Sequence, residues 1–126
     1  MRLLTGLIVL FAVIVATGFW LNHQLEASTV QLVESIDDIA DQIRENNWEK
    51  AYRQTSGLEK LWEKKAGWWP MVLDHQEMDN IEFAMARFKE YVATRDLALA
   101  GGQLSELRLM IRHIPEKEAL SIKNIL

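Results

Sequence analysis

The sequence has no cysteine and only two prolines. The first absence excludes a structural disulfide, thiol catalysis, a cysteine zinc site and any lipid carried on a cysteine. The second leaves only Pro70 and Pro115 as positions where proline chemistry would stop a helix. Strand signals are equally scarce, since no stretch alternates apolar and polar residues long enough to make a case for β-structure. Basic residues are missing between Arg2 and Arg44, and from Glu26 to Glu49 the acids Glu26, Glu34, Asp37, Asp38, Asp41, Glu45 and Glu49 face Arg44 as the one base. With a formal charge of −4, nucleic acid is not an expected partner. The local acidity is what a solvated face of an amphipathic helix carries.

What is present is 126 residues, 49% hydrophobic and 25% charged, which is enough for one small domain. From Leu3 to Leu21 no residue is charged. As a helix rising about 1.5 Å per residue, that run matches the ~30 Å core of a bilayer. It is longer than the apolar region of a cleaved signal peptide. Phe19, Trp20 and Leu21 also follow the small residues Ala16, Thr17 and Gly18 where a cleavage region should turn polar. The expectation is an uncleaved anchor holding the lipid bilayer through residues 3–21, in a segment 1–26 ahead of a helical domain 27–126. Arg2 puts the N-terminus in the cytoplasm and the domain outside by the positive-inside bias, with Trp20 at the lipid–water boundary. Ala12 and Ala16 form a small-residue pair of the kind found where membrane helices meet, or simply bilayer filler.

Beyond the anchor, helical spacing dominates. Leu32, Val33, Ile36, Ile39, Ala40 and Ile43 line one face of a helix over about residues 27–46. Asn47 is positioned as an N-cap, opening a second helix with Trp48, Ala51, Tyr52, Thr55, Leu58, Leu61 and Trp62 on one face. That helix is expected to end near Gly67, in the left-handed cap conformation that glycine accepts. Trp68, Trp69 and Pro70 then form a link. Asp74 opens a third helix whose seam is Met78, Ile81, Met85, Phe88 and Val92. Asp96 opens a fourth, with Leu97, Ala100, Leu104, Leu107, Met110, Ile111 and Ile114, which Pro115 is expected to stop; Gly101 and Gly102 offer another place for the turn. A short C-terminal helix over residues 116–124 completes an all-α fold.

At an offset of 49 positions, Leu32, Ile36, Ile39 and Ile43 fall on Ile81, Met85, Phe88 and Val92, while Asn47 falls on Asp96 and Ala51 on Ala100. Leu58, Leu61 and Trp62 fall on Leu107, Met110 and Ile111. This reads as two tandem helical hairpins in an antiparallel domain; chance agreement between two amphipathic hairpins is the competing explanation. The period does not fit the tetratricopeptide repeat, so only helix-pair packing follows. If the first helix leaves the membrane in line with the anchor, it travels ~37 Å out and the second returns ~30 Å. That would bring Trp68 and Trp69 back to the lipid surface as contacts with headgroups or a membrane partner, against the alternative of core packing.

Chemistry is harder to find. His75, Asp79 and Glu82 share a helix face and make a secondary candidate metal set, although acids complementing a helix N-terminus explain them more simply. Ser28, Ser35, Ser56, Ser105 and Ser121 lie in no nucleophile motif, and Gly101 and Gly102 lack the pattern of a phosphate loop. No catalytic residue and no cofactor is expected. Leu120, Ile122, Ile125 and Leu126 become partner contacts if the tail does not fold back. Self-association is open, because the seam from Met78 to Val92 can be satisfied within the chain or by a second copy.

The stretches Asp74-His75-Gln76-Glu77-Met78-Asp79-Asn80-Ile81 and His113–Leu126, together with the anchor and the first-hairpin tryptophan, resemble a small bacterial family known as domain-of-unknown-function family 4363. The resemblance covers nearly the whole chain and brings no activity or catalytic residue with it. It implies a single-pass protein working beside a multi-pass membrane protein. The expected function is therefore that of a non-catalytic accessory or adapter subunit. An extracytoplasmic ligand- or metal-binding sensor is the alternative.

Overall fold

The computed structural model describes residues 1–67, 69 and 73–125, with side chains described as far as Pro115. Its helices are α1 (Arg2–Arg44), α2 (Trp48–Ala66), α3 (His75–Ala93) and α4 (Leu97–Ile125). Among the described residues there is no strand. Each helix packs on its two neighbours around the ring α1–α2–α3–α4, and the three-residue turns within each pair force antiparallel neighbours, giving an up-and-down four-helix arrangement.

α1 is one helix of 43 residues, about 65 Å long. The helix expected over 27–46 is its second half, with no break where the anchor was expected to end. Nothing between Leu21 and Ala27 would break it, since that stretch has neither proline nor glycine. Its halves differ in character. The N-terminal half is apolar all round, long enough to cross a membrane, and its most apolar window is 0% buried. From Leu25 onward the same helix buries Leu25, Leu32, Ile36, Ile39 and Ile43, the one-sided stripe of a helix facing a core.

That stripe meets Trp48, Ala51, Leu58 and Trp62 of α2, Met78, Ile81, Met85, Phe88 and Val92 of α3, and Ala100, Leu104, Leu107, Ile111 and Ile114 of α4. Three interfaces carry a polar tie as well. Trp62 Nε1 donates to Glu82 Oε1 at 3.1 Å between α2 and α3. Arg87 Nε donates to Gln103 Oε1 at 3.4 Å between α3 and α4. Arg108 pairs with Asp37 between α4 and α1.

The two turns farthest from the apolar segment are built alike. Asn47 N bonds Gln42 O at 2.8 Å and Asn46 N bonds Ile43 O at 3.0 Å; forty-nine positions on, Asp96 N bonds Tyr91 O at 3.0 Å and Arg95 N bonds Val92 O at 3.1 Å. This double bond pattern is the Schellman helix ending, which needs a left-handed residue at its penultimate position. Asn46 (φ 64°) and Arg95 (φ 55°) supply it without glycine. The hairpins therefore match in the backbone hydrogen bonding of their turns as well as in buried positions.

Three local expectations are corrected. Gly67 ends α2 in right-handed geometry (φ −58°, ψ −33°), so no left-handed glycine closes this helix. Asn47 gives no side-chain cap; its Nδ2 donates to Gln42 Oε1 at 3.1 Å instead, whereas Asp96 accepts from Leu99 N at 3.0 Å and Asp74 from Gln76 N at 3.3 Å. Pro115 does not stop the fourth helix, and the separate C-terminal helix is part of α4. A proline removes one helical donor, but buried Ile111 and Ile114 pin the preceding turn and the good helix formers Glu116, Lys117, Glu118 and Ala119 follow. Gly101 and Gly102 lie inside α4, so the turn is at Thr94–Asp96.

Candidate functional site

The sequence-derived candidates are scattered by the fold. His75 and Asp79 are exposed near the start of α3, and Glu82 is held by the Trp62 indole. Among the described residues no group of three or more His, Asp or Glu side chains could hold a metal ion. Trp69 is 0% exposed and meets Trp62 edge to face, with ring centroids 5.1 Å apart and planes at 85°. It belongs to the core and is corrected from the surface contact expected of it. A ring of that size gains more from burial among apolar neighbours than from a wetted boundary, and the edge-to-face contact adds to that gain. Trp68 and Leu126 lie outside the described residues. Leu120, Ile122 and Ile125 lie on α4, with side chains outside the description. Trp20 is 59% exposed, where the apolar run of α1 ends.

One concave surface was not foreseen. Between α3 and α4 lies a groove of about 340 Å³. Buried Ile81 and Ile114 and half-buried Met110 form its apolar base, and Leu109 stands at its rim, 56% exposed. Glu77, Asn80, Glu106 and His113 supply its polar edge. The available signal was Leu109, an apolar residue placed among Ser105, Glu106, Arg112 and His113 on the polar side of its helix. Phe83 of α3 is also exposed, at 59%. At the far end, a polar hollow of about 410 Å³ covers the first turn, lined by Asn46, Lys50, Arg53 and Arg95 among others. There Trp48 Nε1 donates to Asn46 Oδ1 at 2.7 Å.

Electrostatics is sharpest between α2 and α3. Lys89 Nζ lies 2.9 Å from Glu59 and 5.5 Å from the centre of the Tyr52 ring. The Glu59 hydrogen bond raises its pKa above the ordinary 10.5, against the opposing effect of desolvation. This cluster staples two helices; it is not arranged around a cavity.

No curated protein and no solved structure matches the chain. The family described as Domain of unknown function (DUF4363) matches residues 19–125, from the last turn of the apolar run through all the packed helices. With a match of that extent, the chain belongs to the DUF4363 family.

Proposed function

We propose that the chain is a non-catalytic, membrane-anchored accessory or adapter subunit of an integral membrane protein, with its N-terminus in the cytoplasm and its helical domain outside. The observation that carries this reading is the continuity of α1. Its first half is apolar on every side and uncovered by the rest of the chain, and a helix of that kind needs lipid or a membrane protein around it. Its second half is the wall of the bundle. A domain joined to its anchor by an unbroken helix keeps a fixed height and tilt above the bilayer, which suits holding a partner and contributes nothing to chemistry. Arg2 before the span, with no further base until Arg44, supports the orientation.

The test is purification of the full-length chain, tagged at its N-terminus, from its own membranes in mild detergent. A multi-pass protein at equal stoichiometry is the expected companion. Recovery of the chain without any integral membrane protein would overturn the accessory-subunit reading.

A further inference from the structure

The repeat makes it possible to ask what each hairpin does with equivalent surface positions. Subtracting the 49-residue offset from the groove gives its counterpart on the first hairpin. Ile81 corresponds to Leu32 and Met110 to Leu61, so two of the three base residues keep an apolar counterpart. The third base residue and the edges do not. Glu77 corresponds to Ser28, Glu106 to Gly57, Leu109 to Lys60, His113 to Lys64 and Ile114 to Lys65. One surface is an apolar groove edged by two carboxylates; the other offers three lysines and no acid at the equivalent positions. Lys60 and Lys64 are exposed, and neither pairs with a carboxylate among the described residues. At Gly57 an added Cβ would meet nothing within 4 Å, so the first surface is open where the second projects Glu106.

We infer that the lysine face of one copy's first hairpin docks into the carboxylate-edged groove of a second copy's second hairpin. Three features favour a second copy as occupant. The charges are complementary, which selects and orients a partner. Lysine stems can lie along the exposed Leu109 and half-buried Met110 while an ammonium group reaches Glu106, whose carboxylate also accepts from Gln103 Nε2 at 3.2 Å. The levels also match, because α2 and α4 start at equivalent turns and the docking residues lie equally far along them. Copies anchored in one bilayer therefore present the two faces at one height, and confinement raises their effective concentration. Since the faces lie on different helix pairs, the contact is head to tail and propagates as a row or closes as a ring. This inference goes beyond the accessory-subunit reading and shares with it only the anchor.

The absence of native cysteine makes the test direct. Full-length Lys60→Cys and a differently tagged full-length Leu109→Cys are co-expressed in one membrane and oxidised. Circular dichroism of each variant is the folding control, and reaction of each introduced thiol with a maleimide shows that it is available to oxidation. The mixed pair should cross-link at least about tenfold more than either variant with itself, corresponding to ~1.4 kcal/mol. Lys64→Glu in the first copy should remove that excess, and Glu106→Lys in the second should restore it. Equal yields for mixed and like pairs, no mixed product from folded variants whose thiols react, or capture of a different protein would each overturn the inference. None of these results changes what co-purifies in the accessory-subunit test, so the two readings fail separately.

Discussion

The two hairpins share a framework and differ in how they finish it. Both turn through a Schellman ending, at Asn46 and at Arg95, with corresponding backbone bonds. Both bury matching positions: Ala51 with Ala100, Leu58 with Leu107 and Trp62 with Ile111. Yet the first hairpin continues into an apolar, uncovered helix, and the second carries the groove. At Ala66 the first ends its second helix, while the second hairpin runs on through Pro115, the equivalent residue. Backbone hydrogen bonding and the core are thus conserved between the halves of one molecule. Surface charge and helix length are free to diverge because neither is needed to close the core.

The largest break in this comparison should come at Trp62 and Ile111. Trp62→Ala removes a buried ring, its edge contact with Trp69 and its bond to Glu82, and should cost about 3–5 kcal/mol. Ile111→Ala at the equivalent place should cost about 2–4 kcal/mol. Circular dichroism during chemical denaturation of the full-length protein in detergent would rank them, and equal losses would mean that the tryptophan adds nothing beyond its aliphatic counterpart.

A sharper comparison uses the turns. Arg95→Gly relieves a left-handed arginine and should stabilise by about 1 kcal/mol. Asn46→Gly should destabilise by about 0.5–1 kcal/mol, because asparagine tolerates that conformation and its Oδ1 accepts the Trp48 bond. Changes of the same sign in the same denaturation assay would show the turns to be energetically interchangeable. Next, Asp96→Ala should lose about 1 kcal/mol with its cap, and Asn47→Ala less than half of that, since its side chain caps nothing; a larger loss at Asn47 would reverse the ranking of the caps.

A small effect is also expected at Lys89. Its folded pKa is raised, so its contribution is complete below the ordinary value of 10.5 and is lost as pH rises through the higher folded value. Its side chain is about one third exposed, so solvent screens the pair and Lys89→Met should cost under ~1 kcal/mol at neutral pH. Stability profiles of wild type and Lys89→Met should run parallel through neutrality and converge only in strong alkali; convergence below pH 10.5 would contradict the assignment.

Helix faces were legible in the sequence because burial imposes the 3.6-residue period, and the seams at Ile36, Ile39, Met85 and Phe88 carry it without interruption. Chain ends of helices were less legible. Asn46 and Arg95 take the conformation for which glycine is the usual signal, while Gly67 does not. Pro115 carries a local stop signal that the burial of Ile111 and Ile114 before it and the helix formers after it override. The burial of Trp69 depends on the core around Trp62, which is closed by residues distant in sequence, and no local pattern announces it. The groove escaped for the same reason: Glu77 and Glu106 are far apart in sequence and meet only when α3 and α4 pack.

Continuity between the apolar segment and the bundle is the claim on which the functional reading stands, and it can be measured directly. In the cysteine-free chain, spin labels at introduced cysteines replacing Val9 and Asp38, both on α1, report its length in lipid vesicles. One unbroken helix predicts a single narrow distance near ~44 Å, at about 1.5 Å per residue. A broad distribution, or one centred below ~35 Å, would mean a joint between anchor and domain, and would contradict a domain held rigidly above the membrane.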